Sequence, residues 1–393
     1  MEKLEKYEGR EHAKIKHDIL TNYLKRLFWI ISKKPTLKVI NYADCFSGPW
    51  MEADEKLSGT SIALSLEIMN QCIYAWKKTG RDIKFRALYI EKDPKAFKRL
   101  ELFHSKYKNP YIEMSIRNDD YTNITKEIAN WSNNEFTFFF IDPKGWNQIS
   151  PEDLNILLQL EQSEFLVNFM YEFQNRALTI EKHESDMERL LGVNPSEIDQ
   201  SNPETRRSST IKCYMKHLNS IYKGFSLHMP IKRRGQDKLL YYLVYLTKHP
   251  LGVDIFAKEG EKIMSDQSRL VQQVALQNQI DNHSTMDMFA EQTNLDDWPD
   301  LELNQSTNIN KAKTEILSLL RNKDSVLFNY ETWANFLIST GLYRSDIQQA
   351  MKQLLNDGLV INTSASIADV SRRRTELIKP NWNEKAERWK IKN

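Results

Sequence analysis

Four carboxylates, Asp44, Glu91, Asp119 and Asp142, occupy equivalent places in this chain. Each closes or closely follows a short run rich in apolar and β-branched residues: Leu37–Ala43, Phe85–Ile90, Tyr111–Ile116 and Phe136–Ile141. Runs of this kind read as parallel strands covered on both faces. The carboxyl ends of parallel strands share one edge of a sheet, and open α/β sheets bind ligands outside that edge. An acid ending the second strand is where nucleotide-binding folds hold ribose hydroxyls, which gives Glu91 that role. At Asp44-Cys45-Phe46-Ser47-Gly48-Pro49-Trp50 the carboxylate is followed by a glycine, which lets backbone turn tightly beside a ligand. The chemistry expected at this edge is the binding of a nucleotide-like molecule.

The elements that must position these groups alternate as an α/β fold does. A helix is expected over Glu11–Ser32, with Ile15, Ile19, Tyr23, Leu24, Leu27 and Phe28 at helical spacing and Lys16-His17 opening its apolar part. Asp93-Pro94 starts a basic helix, and Ser150-Pro151-Glu152-Asp153 has the cap, N1 proline and first-turn acids of another. Glu164–Met170 reads as a fifth strand, followed by a polar helical insertion over about 178–223. Phe225–Pro230 and Leu239–Leu246 read as two further strands, joined by the basic connection Lys232-Arg233-Arg234-Gly235-Gln236-Asp237.

Composition sets the limits. A chain of 393 residues has room for two or three domains. The formal charge is only +2, so a nucleic-acid surface would have to be a local patch. Cys45, Cys72 and Cys213 share no metal-ligand spacing and give no disulfide framework, so no metal is expected and a reducing cytoplasm fits. Met1–Lys16 lacks the apolar core of a signal peptide, and no apolar run nears the roughly 20 residues that span a bilayer. The expectation is a cytoplasmic protein with no membrane partner.

The order of elements resembles the class I S-adenosylmethionine-dependent methyltransferases, which implies a Rossmann-like, seven-stranded, mostly parallel sheet. More narrowly, the chain resembles the three-Cys-motif partner proteins. The likeness is carried by Lys16-His17-Asp18-Ile19-Leu20, Asp44–Pro49, Ser58-Gly59-Thr60-Ser61-Ile62-Ala63-Leu64, Ile90–Asp93, Phe140–Trp146, Tyr241-Tyr242-Leu243 and His249–Gly252. The naming cysteines of that family lie in its partner, a radical S-adenosylmethionine-type protein, which the resemblance implies as a partner here. Several of these signposts are also similar to an adenine-N6 methyltransferase of large-subunit ribosomal RNA. The resemblance implies S-adenosylmethionine as cofactor. It places Asp44, Phe46, Ser47 and Gly48 at the methionine side, Glu91 at the ribose, and Asp119 with Tyr121 at the adenine. Lys16 and His17 would close the site with Ser61 nearby, and Asp142-Pro143 would face the target amine. Lys144 and Gly145 replace the last two residues of the family's Asp-Pro-Pro-Tyr, with Trp146 available as a stacking platform or as packing for the next helix. A methyltransferase on nucleic acid and an altered, non-catalytic adaptor of the same fold both remain open.

Residues 271–310 contain no Lys or Arg but seven acids (Asp281, Asp287, Glu291, Asp296, Asp297, Asp300, Glu302), which reads as an acidic linker. It separates a methyltransferase-like domain at 1–270 from a module at 311–393, where 14 Lys and Arg face 9 Asp and Glu. Lys313–Leu320, Tyr330–Ser339 and a helix opening at Ser345 precede two expected strands, Leu359–Asn362 and Glu376–Ile378. That order predicts a C-terminal winged helix-turn-helix domain. Arg344, Gln348, Gln349, Lys352 and Gln353 are candidates for base contacts, and Arg372, Arg373 and Arg374 for phosphates. RNA or DNA is the expected partner, with protein contact as the alternative use of a winged helix.

Overall fold

The computed structural model describes residues 11–48, 57, 59–143, 145, 148–178, 180–232, 238–283, 306–364 and 387–392. The chain divides after Lys248 into two compact units.

The first unit runs α1 (Glu11–Ile31), β1 (Val39–Asp44), α2 (Ser61–Lys77), β2 (Lys84–Ile90), α3 (Pro94–Lys106), β3 (Ile112–Arg117), α4 (Thr125–Ser132) and β4 (Thr137–Ile141). It continues with α5 (Pro151–Leu158), β5 (Ser163–Phe169), α6 (Tyr171–Ala177), α7 (Glu184–Leu191), α8 (Pro203–Tyr222), β6 (Phe225–Lys232) and β7 (Leu239–Thr247). Its seven strands form one sheet in the order β3-β2-β1-β4-β5-β7-β6. All neighbours are parallel except β7, which runs antiparallel to both β5 and β6. This is the seven-stranded, mostly parallel, hairpin-closed sheet that the methyltransferase resemblance implied.

Local chemistry explains the elements. Every residue of β4 and β5 is buried, as expected of central strands with helices on both faces. Helix α1 buries Ile19, Leu20, Tyr23, Leu24, Leu27, Phe28 and Ile31. Asp93 caps α3 through the Ala96 amide, and Ser150 caps α5 through the Asp153 amide, each with a proline at N1. Register then aligns the strand ends: Asp44 lies opposite Tyr89 and Phe140, Ile90 opposite Arg117, and Ile141 opposite Val167. The acids that follow these strands therefore share one edge.

The second unit comprises α9 (Pro250–His283), α10 (Ser306–Leu320), β8 (Val326–Phe328), α11 (Tyr330–Thr340), α12 (Arg344–Asn356), β9 (Val360–Asn362) and β10 (Glu387–Ile391). Helix α9 packs on α11 and α12, so residues from Pro250 group with this unit, whereas the sequence reading set the boundary at 270. Of the expected linker at 271–310, residues 271–283 and 306–310 are helical, and 284–305 lie outside the described residues. Val271–Ile280 has neither glycine nor proline, and its lack of charge hid a helix. The three strands form an antiparallel sheet in the order β8-β10-β9. The expected strand Glu376–Ile378 and the basic run Arg372–Arg374 lie outside the described residues, as do Pro49, Trp50, Lys144 and Trp146. Among the described residues, no helix is long and apolar enough to cross a membrane.

Candidate functional site

Asp44 is the last residue of β1 and is fully buried. Its Oδ2 accepts a 2.5 Å hydrogen bond from Ser61 Oγ at the start of α2, and its Oδ1 accepts from the Phe46 amide at 3.1 Å. Burial raises its pKa to about 7, against the two hydrogen bonds that favour the ionised form. The Asp142 charge adds to the rise and the Lys16 ammonium opposes it. The turn after Asp44 is pinned to the next strand, because both the Ser47 amide and its hydroxyl donate to the Ile90 carbonyl, at 2.9 and 3.0 Å. Ser61 is placed by a Thr60 cap, whose own hydroxyl donates to the Leu57 carbonyl at 2.8 Å; Gly59, at φ +85°, supplies the left-handed step between them.

Glu91 follows β2 and is 4% exposed, with Oε1 accepting from the Asp93 amide at 2.6 Å. Asn118 Nδ2 bonds the Glu91 carbonyl at 2.8 Å and so ties the ends of β2 and β3 together. Asp119 is partly buried, its Oδ1 accepting from the Asp120 amide (2.7 Å) and Asn123 Nδ2 (3.0 Å). Tyr121 is buried, its ring edge-on to Phe46 at 5.2 Å and its hydroxyl donating to the Gln148 carbonyl. Its polar end thus serves the fold, and the half-buried Phe46 packs against it. Gln148 is a link that sequence reasoning missed: it also donates to Asp120 and accepts from Lys92 at 3.1 Å. A glutamine in a polar loop gives no signal of this.

Asp142 follows β4 and is bound from two sides. Lys16 of α1 forms an ion pair with its Oδ2, and both side chains are mostly buried at 14% and 19% exposure. Asn168, on β5, donates to its Oδ1 at 2.7 Å. Asn168 itself is 3% exposed, and its Oδ1 has no partner among the described residues. Sequence reasoning did not select Asn168, although a lone amide in the run Leu166-Val167-Asn168-Phe169-Met170 marks the carboxyl end of a buried strand. Pro143 is buried beside Asp142, and His17 lies partly buried next to Lys16 on α1.

Three of the predicted groups, Lys16, Asp44 with Ser61, and Asp142, thus meet at one edge, with Glu91 and Asp119 on the neighbouring strand ends. A set of carboxylates with its nearest ammonium already paired suits hydroxyls and amines, and repels a polyphosphate. The donor set therefore fits a phosphate-free nucleoside with a cationic tail, which is what S-adenosylmethionine is.

In the second unit, Arg344 opens α12 but is not turned to solvent. Its Nε bonds Asp254 Oδ1 at 2.5 Å, and its side chain is 14% exposed. The same Asp254 oxygen accepts from Trp333 Nε1 at 2.9 Å, joining α9 to α11 and α12. Lys352 is exposed on α12.

No model of a known protein family matches the chain, and no curated protein matches it either. Solved structures with similar backbones include human methyltransferase-like protein 13 in complex with S-adenosylhomocysteine, at 8% identity and a TM-score of 0.30, over 64% of this chain and 91% of that one. Another is an S-adenosylmethionine-dependent methyltransferase from Anabaena variabilis, at 10% identity and a TM-score of 0.25, over 58% of this chain and 94% of that one. Similarities this low add nothing to what the strand order itself shows.

Proposed function

We propose that the first unit binds S-adenosylmethionine along Asp44, Glu91 and Asp119 and methylates an exocyclic amine of a nucleic-acid base, of the adenine-N6 type, at Asp142-Pro143. The observation that carries this reading is the in-register edge on which a buried carboxylate held by Ser61 stands beside a second one held by Asn168 and Lys16. When bound, the cofactor's sulfonium supplies an activated methyl group, so the protein's task is positioning. Asp142 Oδ2 accepts a hydrogen bond from the acceptor amine and orients its lone pair. Asn168 fixes Oδ1 so that the carboxylate cannot rotate. Lys16 must leave Oδ2 for the amine to enter.

We read the second unit as a winged helix that presents the substrate. Support comes from the order α10-β8-α11-α12-β9-β10 and from the antiparallel ladder of β9 with β10. The second reading, an adaptor for a radical S-adenosylmethionine-type three-Cys-motif protein, is favoured by one observation: both oxygens of Asp142 are already engaged within the chain.

Calorimetry with S-adenosylmethionine on the wild type and Asp44→Ala separates the cases. Binding lost in the variant supports the cofactor site, and a wild type that binds none removes it. Methyl transfer from labelled cofactor to RNA, DNA and the partner protein then decides between enzyme and adaptor.

A further inference from the structure

The opposite edge of the same sheet carries a surface that the proposed methyl transfer does not use. Helices α1 and α2 end there, just before β1 and β2 begin, and Tyr111 precedes β3 at the same edge. Trp29 of α1 and Trp76 of α2 stack with ring centroids 4.6 Å apart and planes 24° apart. Trp29 remains 39% exposed, and Tyr74, two residues before Trp76, is 64% exposed. Cations interleave with these rings. Lys33 Nζ lies 5.9 Å from the Trp29 centroid, Lys78 4.4 Å from Tyr74 and Lys77 3.6 Å from Tyr111. The Arg81 guanidinium lies 5.2 Å from Trp76, locked in place by its bond to the Lys34 carbonyl.

Three of these lysines, Lys33, Lys77 and Lys78, are paired with rings and, among the described residues, make no ion pair with a carboxylate. For a chain of net charge +2 this is a concentrated positive field. Exposed aromatic faces between lysines match the alternation of base and phosphate in an unpaired strand. A duplex hides its base faces and would use only the lysines. A lipid surface would call for an apolar helix face, whereas these rings are partly covered by ammonium groups.

We propose that this edge, centred on Trp29, Tyr74, Lys77 and Lys78, binds single-stranded nucleic acid, with bases on the rings and phosphates on the lysines. A six-residue strand separates the two edges by about 20 Å, so the patch holds flanking nucleotides and not a reacting base. It shares with the proposed function only the class of partner, and it stands whether or not methyl transfer occurs.

The test is fluorescence anisotropy of labelled 20-mer RNA and DNA, single- and double-stranded, on the full chain without S-adenosylmethionine, so a negative result leaves the cofactor measurement untouched. Single strands should bind more tightly than duplex and quench tryptophan emission. Trp29→Ala should weaken binding roughly 5- to 150-fold, the range for losing one stacked base, and Trp29→Phe should restore most of it. The exposed pair Lys77→Ala/Lys78→Ala should lower the salt dependence of log K by about 1.4. The proposal is overturned by variants that bind single strands like the wild type, by variants that weaken duplex binding as much as single-strand binding, or by anionic phosphatidylserine vesicles binding where oligonucleotides do not.

Discussion

Asn168 Nδ2 donates to Asp142 Oδ1 at 2.7 Å, joining the ends of β4 and β5 at the carboxylate proposed to receive the acceptor amine. Asn168→Leu keeps the size of the side chain and removes the donor. Methyl transfer should fall about 100-fold in kcat, the cost of a misplaced positioning group, while the Kd for S-adenosylmethionine stays within threefold. Equal losses in both would mean that Asn168 supports the whole edge and not the carboxylate.

Asp44 titrates near neutrality because it is buried. A cationic ligand favours its ionised form, so protons leave on binding and affinity rises with pH through about 7. Calorimetry should show S-adenosylmethionine binding roughly fivefold tighter at pH 8 than at pH 6, bounded by tenfold per pH unit for one proton. Asp44→Asn should flatten that profile.

Glu164 is a second buried acid with a pKa raised to about 7, chiefly by desolvation. It accepts from Tyr23 at 2.7 Å and Thr247 at 2.9 Å, near the start of β5 and away from the carboxyl-end edge that holds Asp44 and Asp142. Its folded-state pKa lies above the unfolded value of 4.5, so its contribution to stability is full below pH 4.5 and is lost as pH rises through about 7. The loss is on the order of 3 kcal/mol. Glu164→Gln should shrink the difference in denaturation midpoint between pH 5 and pH 8. An unchanged difference would assign the pH dependence to Asp44 and other groups.

Arg344→Ala should unfold the second unit before it tests any nucleic-acid contact, since it strips Asp254 of its cation. Breaking such a pair costs about 3–5 kcal/mol, visible as early protease cleavage within residues 249–364. Lys352→Ala should leave that cleavage unchanged.

If the second unit binds nucleic acid through its wing, neutralising Arg372, Arg373 and Arg374 together should weaken duplex binding and reduce the salt slope by up to about 2.7. A slope that does not move would leave the unit to protein contacts.

The first unit was largely legible in the sequence because central strands such as Thr137–Ile141 are continuous apolar runs with an acid directly after them. Helix starts were equally plain where Asp93-Pro94 and Ser150-Pro151 supply caps. Long-range partners were not legible. Nothing in Lys16 announces Asp142, 126 residues away, and Arg344 looked like a groove-facing cation until Asp254 claimed it. In the second unit, Glu387–Ile391 escaped notice because Glu387, Arg388 and Lys390 surround one buried side chain, Trp389. Its strand character comes from pairing on both sides, which a five-residue window cannot contain.

That strand has a consequence for how the second unit comes into being. Among the described residues, 387–391 form the unit's last element in chain order but the middle strand of its sheet, flanked by β8 and β9. During synthesis the ladders of β8 and β9 with this segment cannot form until it emerges. A cut within residues 365–386 would turn one folding event into an association of two pieces, and a stop codon before Glu387 would remove the keystone and not a tail.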